Sequence, residues 1–377
     1  METEIINYTP ADLGKFANNF EKEILDAKKG LENSFAYLLN YLPEKPLIGE
    51  NEDFQVITIG GSHLEKAIVK KVEGKIEINY FYEEDVPLFK TKEIFLETVL
   101  RQLDPKTRVL TLNFAYQLEP IIRDGAVDGK FLAGTKGHTF DGLIGEFVGQ
   151  ELEKYIFEKL SRKVVVTVGN DTLGLGLAGM EVDTNFGWQN SVVGIVGTGM
   201  NFGYFESQDC FANLECGNFS NFKQSFSGKI IDSLSSNYQK QLLEKEISGK
   251  YLSQHFNILA NLQGLKENVT SSKDMNNLIS QRNDEVRELG LKVLSHSAQL
   301  VAGVLFGLYN YKKQAGGFDS NFKLMALIEG SLFWKAYEYR QMVLENLQKL
   351  GLKKDSIFFP HLYNSGILGA AKLALGK

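Results

Sequence analysis

The chain has 377 residues, 43% of them hydrophobic and 23% charged, with a net charge of −6. That length suggests two domains of about 150 residues each, and the composition is that of a globular chain with ample material for a core. Acid and base are interspersed with acid in excess, which argues against nucleic acid as a partner, because phosphate-backbone binding wants a basic surface.

Two cysteines, Cys210 and Cys216, and five scattered histidines form neither a zinc spacing nor a disulfide framework, so no set of protein metal ligands is read and a reducing, cytoplasmic setting is expected. The acidic start Met1-Glu2-Thr3-Glu4 lacks the apolar core of a signal peptide. The longest apolar stretch, 298–311, is broken by Gln299, Gly303, Gly307 and Asn310 and is too short to span a bilayer. No membrane partner is expected.

In chain order, the first 45 residues read as helix: Phe16, Phe20, Ile24 and Leu31 recur at helical spacing, and Pro43 and Pro46 end the segment. Strands are predicted over 54–59, 67–72 and 76–81 with short turns, an antiparallel meander. A helix over 94–103, a strand over 109–114, a helix over 140–160 and a strand over 164–168 follow. After Gly187 the pattern restarts, with strands over 192–196 and 201–206 around Gly197-Thr198-Gly199. A Gly turn between strands thus occurs twice, suggesting two similar lobes. Helices are predicted over 229–251, 282–313 and 334–350, a strand over 322–328 and a small-residue helix over 365–375. Residues 264–285, rich in Asn and Ser, read as a surface loop.

The most informative stretch is Thr167-Val168-Gly169-Asn170-Asp171, between an apolar β-run and the helix start Thr172-Leu173-Gly174. A carboxylate at the end of a buried strand is held rigidly, so Asp171 is a candidate general base for a substrate hydroxyl; as a local reading, it is also a good N-cap for the following helix. Gly197-Thr198-Gly199 and Gly60-Gly61-Ser62 are turns whose uncovered N–H groups suit phosphate oxygens, or ordinary hairpin turns. Gly330-Ser331 after a strand adds a third such corner. Thr135-Lys136 offers a hydroxyl and an ammonium for a polyol or a developing negative charge. Glu215 and Glu244, with the amides of Asn170 and Asn201, suit sugar hydroxyls, each of which donates to a carboxylate and accepts from an amide; local sequence alone reads Glu244 as an exposed helical glutamate.

These pieces, in this order, resemble the hexokinase family of sugar kinases over about residues 16–375. The strongest segments are 164–174, resembling the family's Val-x-x-x-x-Asn-Asp-Thr-x-Gly; 194–206, resembling Gly-Thr-Gly-x-Asn with a downstream Glu; 213–219, resembling Asn-x-Glu-Trp-Gly-x-Phe with Cys216 for the usual Trp; and 232–252, resembling the helix that ends Glu-Lys-x-Ile-Ser-Gly-x-Tyr-Leu. The resemblance implies an α/β fold of two RNase H-like (actin-like ATPase) lobes, with mixed five-stranded sheets flanked by helices and an interlobe cleft. The small lobe would be 50–169 plus 360–377, the large lobe 1–49 plus 170–359. It implies ATP and Mg²⁺ as cofactors and a hexose, glucose foremost, as substrate. Asp171 would be the base and Lys136 a support for charge. Asn113, Thr135, Lys136, Asn170, Asp171, Asn201, Glu215 and Glu244 would hold the sugar. Gly60, Gly61, Ser62, Gly197, Thr198, Gly199, Ser295, Gly330 and Ser331 would surround the nucleotide.

The chain departs from the family where the first phosphate motif, Asp-x-Gly-Gly-Thr-x-x-Arg, becomes Thr58-Ile59-Gly60-Gly61-Ser62-His63-Leu64-Glu65. Thr58 replaces the acid that helps place hydrated Mg²⁺, and Glu65 reverses the charge of the Arg. Asn113-Phe114-Ala115 replaces Ser-Phe-Pro. An acid restored at 58 is expected to strengthen donor use. The alternative readings are a hexokinase-like sugar sensor with little or no activity, and a kinase with a donor other than ATP.

Overall fold

The computed structural model describes residues 7–61, 63–134, 137–180, 187–319 and 321–376. Helix α1 (Pro10–Lys28) starts where the Thr9 hydroxyl accepts from the Asp12 N–H and Pro10 occupies the first turn. Leu13, Phe16, Phe20 and Ile24 form its buried stripe. Leu31 does not continue it: the helix ends at Lys28, Gly30 takes a positive φ, and Leu31 is exposed. The expected single helix over 1–45 is corrected further by strand β1 (Leu38–Tyr41).

The meander is present as β2 (Asp53–Ile59), β3 (His63–Val72) and β4 (Lys75–Asp85). Then come α2 (Lys92–Gln102), β5 (Val109–Phe114), the hairpin β6 (Gln117–Arg123) and β7 (Ala126–Ala133), α3 (Val148–Leu160), β8 (Val165–Gly169) and α4 (Asp171–Gly179). The helix expected over 140–160 begins only at Val148, because Phe140, Gly142 and Gly145 take positive φ and fold the preceding segment into turns.

Strands β9 (Ser191–Val196), β10 (Met200–Ser207) and β11 (Cys210–Asn213) follow. The helix expected over 229–251 is three pieces, α5 (Phe226–Leu234), α6 (Leu242–Ile247) and α7 (Gly249–Leu262), interrupted where Gln241 takes a left-handed φ and Ser248 an extended one. The expected loop over 264–285 contains α8 (Ser272–Gln281), started by Ser271, whose hydroxyl accepts from the Asp274 N–H. The rest is α9 (Glu285–Ala315), β12 (Leu324–Glu329), α10 (Ser331–Lys335), α11 (Tyr339–Lys349), β13 (Ile357–Phe358) and α12 (Ser365–Leu375). The expected helix over 334–350 is divided between α10 and α11, with Glu338 at positive φ before α11.

The strands form a six-stranded sheet of order β1-β11-β10-β9-β12-β13, a five-stranded sheet of order β4-β3-β2-β5-β8 and the β6-β7 ribbon. The class is α/β with mixed sheets flanked by helices; one of the two main sheets has six strands where five were expected.

The chain divides into two compact units, the first comprising Met1–Tyr37, Gln189–Phe202 and Leu214–His361, the second Leu38–Trp188, Gly203–Asn213 and Leu362–Lys377. In the first, α9 is the central helix. It is long and apolar enough by length and composition to cross a membrane, which the shorter stretch read from sequence was not, and that apolar window is mostly buried as core. Helix α1 approaches it closely: a Cβ on Gly303 would lie 2.5 Å from the Phe16 ring, and one on Gly307 2.9 Å from the Ala17 carbonyl oxygen.

In the second unit both faces of the five-stranded sheet are covered, as parallel strands require. One face packs the Phe89, Phe95, Phe114, Phe131 and Phe140 cluster, the other packs Val56, Ala67, Val69 and Val109 against Ile367, Ala370 and Ala374 of α12. Helix α12 crosses α4 so closely that a Cβ on Gly369 would meet the Gly174 carbonyl oxygen at 1.8 Å. Because backbone cannot yield as a flexible side chain does, Gly369→Ala is expected to lower stability by about 3 kcal/mol, read as a fall in the urea midpoint; an unchanged midpoint would refute this crossing.

Candidate functional site

The second unit sets several of the candidate residues along one strand edge. β2 and β5 are parallel, as are β5 and β8, and the register sets Thr58, Asn113 and Gly169 side by side. Beyond β8, Asn170 rather than Asp171 is the N-cap of α4: its Oδ1 accepts from the Thr172 N–H at 2.9 Å, and its Nδ2 donates to the Tyr116 carbonyl at 3.1 Å. This corrects the capping reading of Asp171, which becomes the first helical residue, half-buried at the positive end of the α4 dipole. The Thr172 hydroxyl donates to Asp171 Oδ1 at 3.3 Å. Burial, and then the Asp171 charge, push the Tyr116 phenol above its ordinary range, so that Tyr116 stays neutral beside the carboxylate.

Asn113 is 8% exposed, and its Oδ1 is a buried acceptor without a hydrogen-bond partner. Around the point where a Cβ on Gly366 would stand, Asn113 Nδ2 lies at 3.3 Å, Thr58 Cγ2 at 3.3 Å and Glu65 Oε2 at 3.7 Å. Thr58 and Glu65 oppose each other across the antiparallel β2–β3 pair, and the Thr58 hydroxyl donates to Glu65 Oε2 at 2.8 Å. Thr58 and Glu65, the two positions singled out in the sequence, are therefore joined. Gly60 N–H donates to the His63 carbonyl at 3.0 Å, closing the turn that Gly61 shares. Ser62, Thr135 and Lys136 lie outside the described residues.

The first unit carries the remaining predicted residues. In the turn between β9 and β10, the Gly197 N–H donates to the Gly199 carbonyl at 3.0 Å. The Gly197 and Thr198 carbonyls accept from the Gly249 and Lys250 N–H groups at 2.7 and 3.1 Å. Gly330 holds φ +122, and a Cβ there would stand 2.3 Å from the Val196 carbonyl oxygen, so only glycine fits. Asn201 Oδ1 accepts from the Phe202 N–H at 2.8 Å and the Cys216 N–H at 3.3 Å, and its Nδ2 faces Glu215 Oε1 at 3.5 Å. Glu215 is in the left-handed region, φ +49, which turns it back toward Asn201. Glu244 is half-buried: its Cβ lies 3.1 Å from where a Cβ on Gly217 would be, and its Oε1 3.0 Å from one on Gly199. Two glycines thus admit Glu244 to the group of Asn201 and Glu215.

A cavity of about 660 Å³ opens beside this turn, lined by Gly197, Thr198, Ser331 and Leu332, by Gly249, Lys250 and Ser253 of α7, and by Ser271–Lys273, Asn276 and Asn277 at α8. Leu294 and Lys335 also line it; Ser295, the neighbour of Leu294 on α9, does not. Three lysines, several hydroxyls and backbone N–H groups suit a polyanionic ligand. The sequence reading missed Lys250, Lys273, Lys335, Asn276 and Asn277, most of them in or beside a segment taken for a loop; the Ser271-x-x-Asp274 capping pattern was the signal that marks α8.

Cys216 is fully buried at the base of this group, and burial pushes its thiol well above the ordinary range, with Glu215 and Glu244 adding to the effect. Cys216 is therefore expected to resist iodoacetamide at neutral pH until the protein is unfolded by urea, as read by peptide mass spectrometry. Rapid labelling of the native protein would contradict the burial of Cys216.

No protein-family model matches the chain. It is 24% identical to hexokinase-1 of Nicotiana tabacum over 89% of this chain and 82% of that one. In fold it matches a hexokinase from Schistosoma mansoni complexed with glucose, with a TM-score of 0.75 at 16% identity, over 98% of this chain and 96% of that one. It also matches a ROK family glucokinase from Streptomyces griseus in complex with glucose and AMPPNP, with a TM-score of 0.55 at 16% identity, over 85% of this chain and 99% of that one. In sequence the chain is thus similar to plant hexokinases, and in fold to hexokinases and a ROK family glucokinase.

Proposed function

We propose that the chain transfers the γ-phosphoryl group of ATP to the primary hydroxyl of a hexose, with glucose the foremost candidate. The observation that carries this reading is the placement of Asp171: a half-buried carboxylate at the first position of α4, just past the end of a parallel strand, with Asn170 capping the helix. In the proposed step the sugar oxygen attacks the γ-phosphorus in line, the bond to the bridging oxygen breaks, ADP departs, and the hydroxyl proton passes to Asp171. Asn201, Glu215 and Glu244 supply the mixture of amide and carboxylate that orients sugar hydroxyls, and Asn170 and Asn113 supply amides in the second unit. Thr135 and Lys136 keep the sugar and charge roles implied by the resemblance. The lysine-lined cavity beside Gly197-Thr198 takes the nucleotide.

Mg²⁺, when bound with the donor, neutralises phosphate charge. Among the described residues no three His, Cys, Asp or Glu side chains gather as a metal site. A hydrated Mg²⁺ takes one or two carboxylates along with the substrate's phosphates. Glu65 fits this need: its carboxylate reaches the Thr58 hydroxyl from the neighbouring strand, on the side where Asn113 Nδ2 and Thr58 Cγ2 face Gly366. This pairing favours an active kinase over a sensor whose donor site has been lost. A cytoplasmic setting accompanies the proposal.

Asp171→Ala is expected to lower hexose phosphorylation by about 100-fold or more in a coupled assay, with hexose binding still measurable by calorimetry; turnover near that of the wild type would remove Asp171 as the base. The contact between Thr58 and Glu65 reverses the expectation for an acid at 58. Thr58→Asp alone would set two carboxylates against each other and weaken Mg-nucleotide binding about tenfold, whereas Thr58→Asp/Glu65→Gln should recover it. Tighter binding by the single variant would exclude Glu65 from the metal's surroundings.

A further inference from the structure

Helix α6 carries Glu244 and has only six residues, too few to hold a helix in place by its own hydrogen bonds. The two residues after Glu244 are charged and fully buried, Lys245 and Glu246 both being 0% exposed. Each is anchored by a different part of the first unit. Lys245 Nζ donates to Asp232 Oδ1 at 2.6 Å, to Ser235 Oγ at 2.8 Å and to the Asn237 carbonyl at 3.0 Å, which uses all three of its donors. Glu246 accepts from the Ser225 N–H at 2.8 Å, the Ser225 hydroxyl at 2.7 Å and His296 Nε2 at 2.9 Å. Burial pushes the Glu246 carboxyl up, but these partners, His296 foremost, hold it below the ordinary carboxylate range. Room for it exists only because position 228 is glycine: a Cβ there would stand 2.0 Å from Glu246 Oε1.

Buried charges are a poor way to gain stability, since well-packed apolar side chains of similar volume often do as well or better. What paired charges add is direction. Successive residues of an α-helix point about 100° apart around its axis. Fixing Lys245 toward α5 and Glu246 toward Ser225 and α9 therefore leaves α6 neither rotation nor slip, and sets the bearing of Glu244 between Gly199 and Gly217. We propose that Lys245 and Glu246 are positioning residues, whose buried pairs aim the Glu244 carboxylate at the hexose. The proposal rests on the sugar-kinase reading above and assigns these two residues a part in affinity rather than in folding.

The test compares Glu244→Gln, Glu246→Gln and the apolar replacement Lys245→Met/Asp232→Leu in the full chain. Glucose, mannose and fructose affinities and ATP affinity are read by calorimetry, and the urea midpoint is read alongside. The expected result is that Glu246→Gln and Lys245→Met/Asp232→Leu bind the preferred hexose about tenfold or more weakly, with ATP affinity unchanged and, for the apolar pair, a urea midpoint at or above that of the wild type. Should the double variant fail to fold, the near-isosteric Glu246→Gln decides. Folded variants with full hexose affinity would overturn the positioning role, provided Glu244→Gln weakens the hexose. If Glu244→Gln itself binds hexose normally, or the wild type binds none of the three sugars, the sugar reading falls and the positioning role falls with it.

Discussion

The parallel register of β2, β5 and β8 is the constraint on which the second unit's chemistry depends. Parallel strands end together, so residues at or next to the end of each strand form one row: Thr58, Asn113 and Gly169, with Asn170 and Asp171 just beyond. A slip of one residue in any of the three would turn its side chains to the opposite face. Burial prevents that slip, because the phenylalanine cluster covers one face and α12 the other. Core packing and site geometry are thus one arrangement seen from two sides.

The first unit solves a different problem, that of bringing carboxylates and backbone close together without a strand edge to align them. It does so with glycine. Gly197 lies against Gly330, Gly199 and Gly217 flank Glu244, and the Gly249 N–H reaches the Gly197 carbonyl at 2.7 Å. At Gly330 both the positive φ and the neighbouring carbonyl exclude a side chain. The turn is held by its carbonyls, and Gly197 and Thr198 also line the adjoining cavity.

Charge in this protein is placed by pairing as much as by position. Thr58 and Glu65 show this in the second unit, where the carboxylate of β3 is tied to the hydroxyl of the neighbouring strand. Lys245 with Asp232 and Glu246 with His296 show it in the first, where the charges face inward and only Glu244 of the three consecutive residues remains part-exposed.

The amino-acid order determined the elements whose signals are local. The apolar runs at 54–59, 109–114, 164–168 and 192–196 are strands because buried parallel strands read as continuous apolar segments. Asp171 follows such a run directly, and the Gly turns follow theirs, so the placement of these candidate residues at strand ends was legible as types at spacings. Tertiary structure alone decided the rest. β1 is a four-residue strand that pairs only with β11, Leu38 against Asn213, a partnership no local pattern encodes. Lys273, Asn276 and Asn277 line a cavity because α8 folds against α7 and α9. Lys245 and Glu246 look like solvated helix residues until Asp232, Ser225 and His296 arrive from elsewhere in the chain. The division follows the range of the forces: periodicity and capping act within a few residues, whereas burying a charge requires partners that only the folded chain assembles.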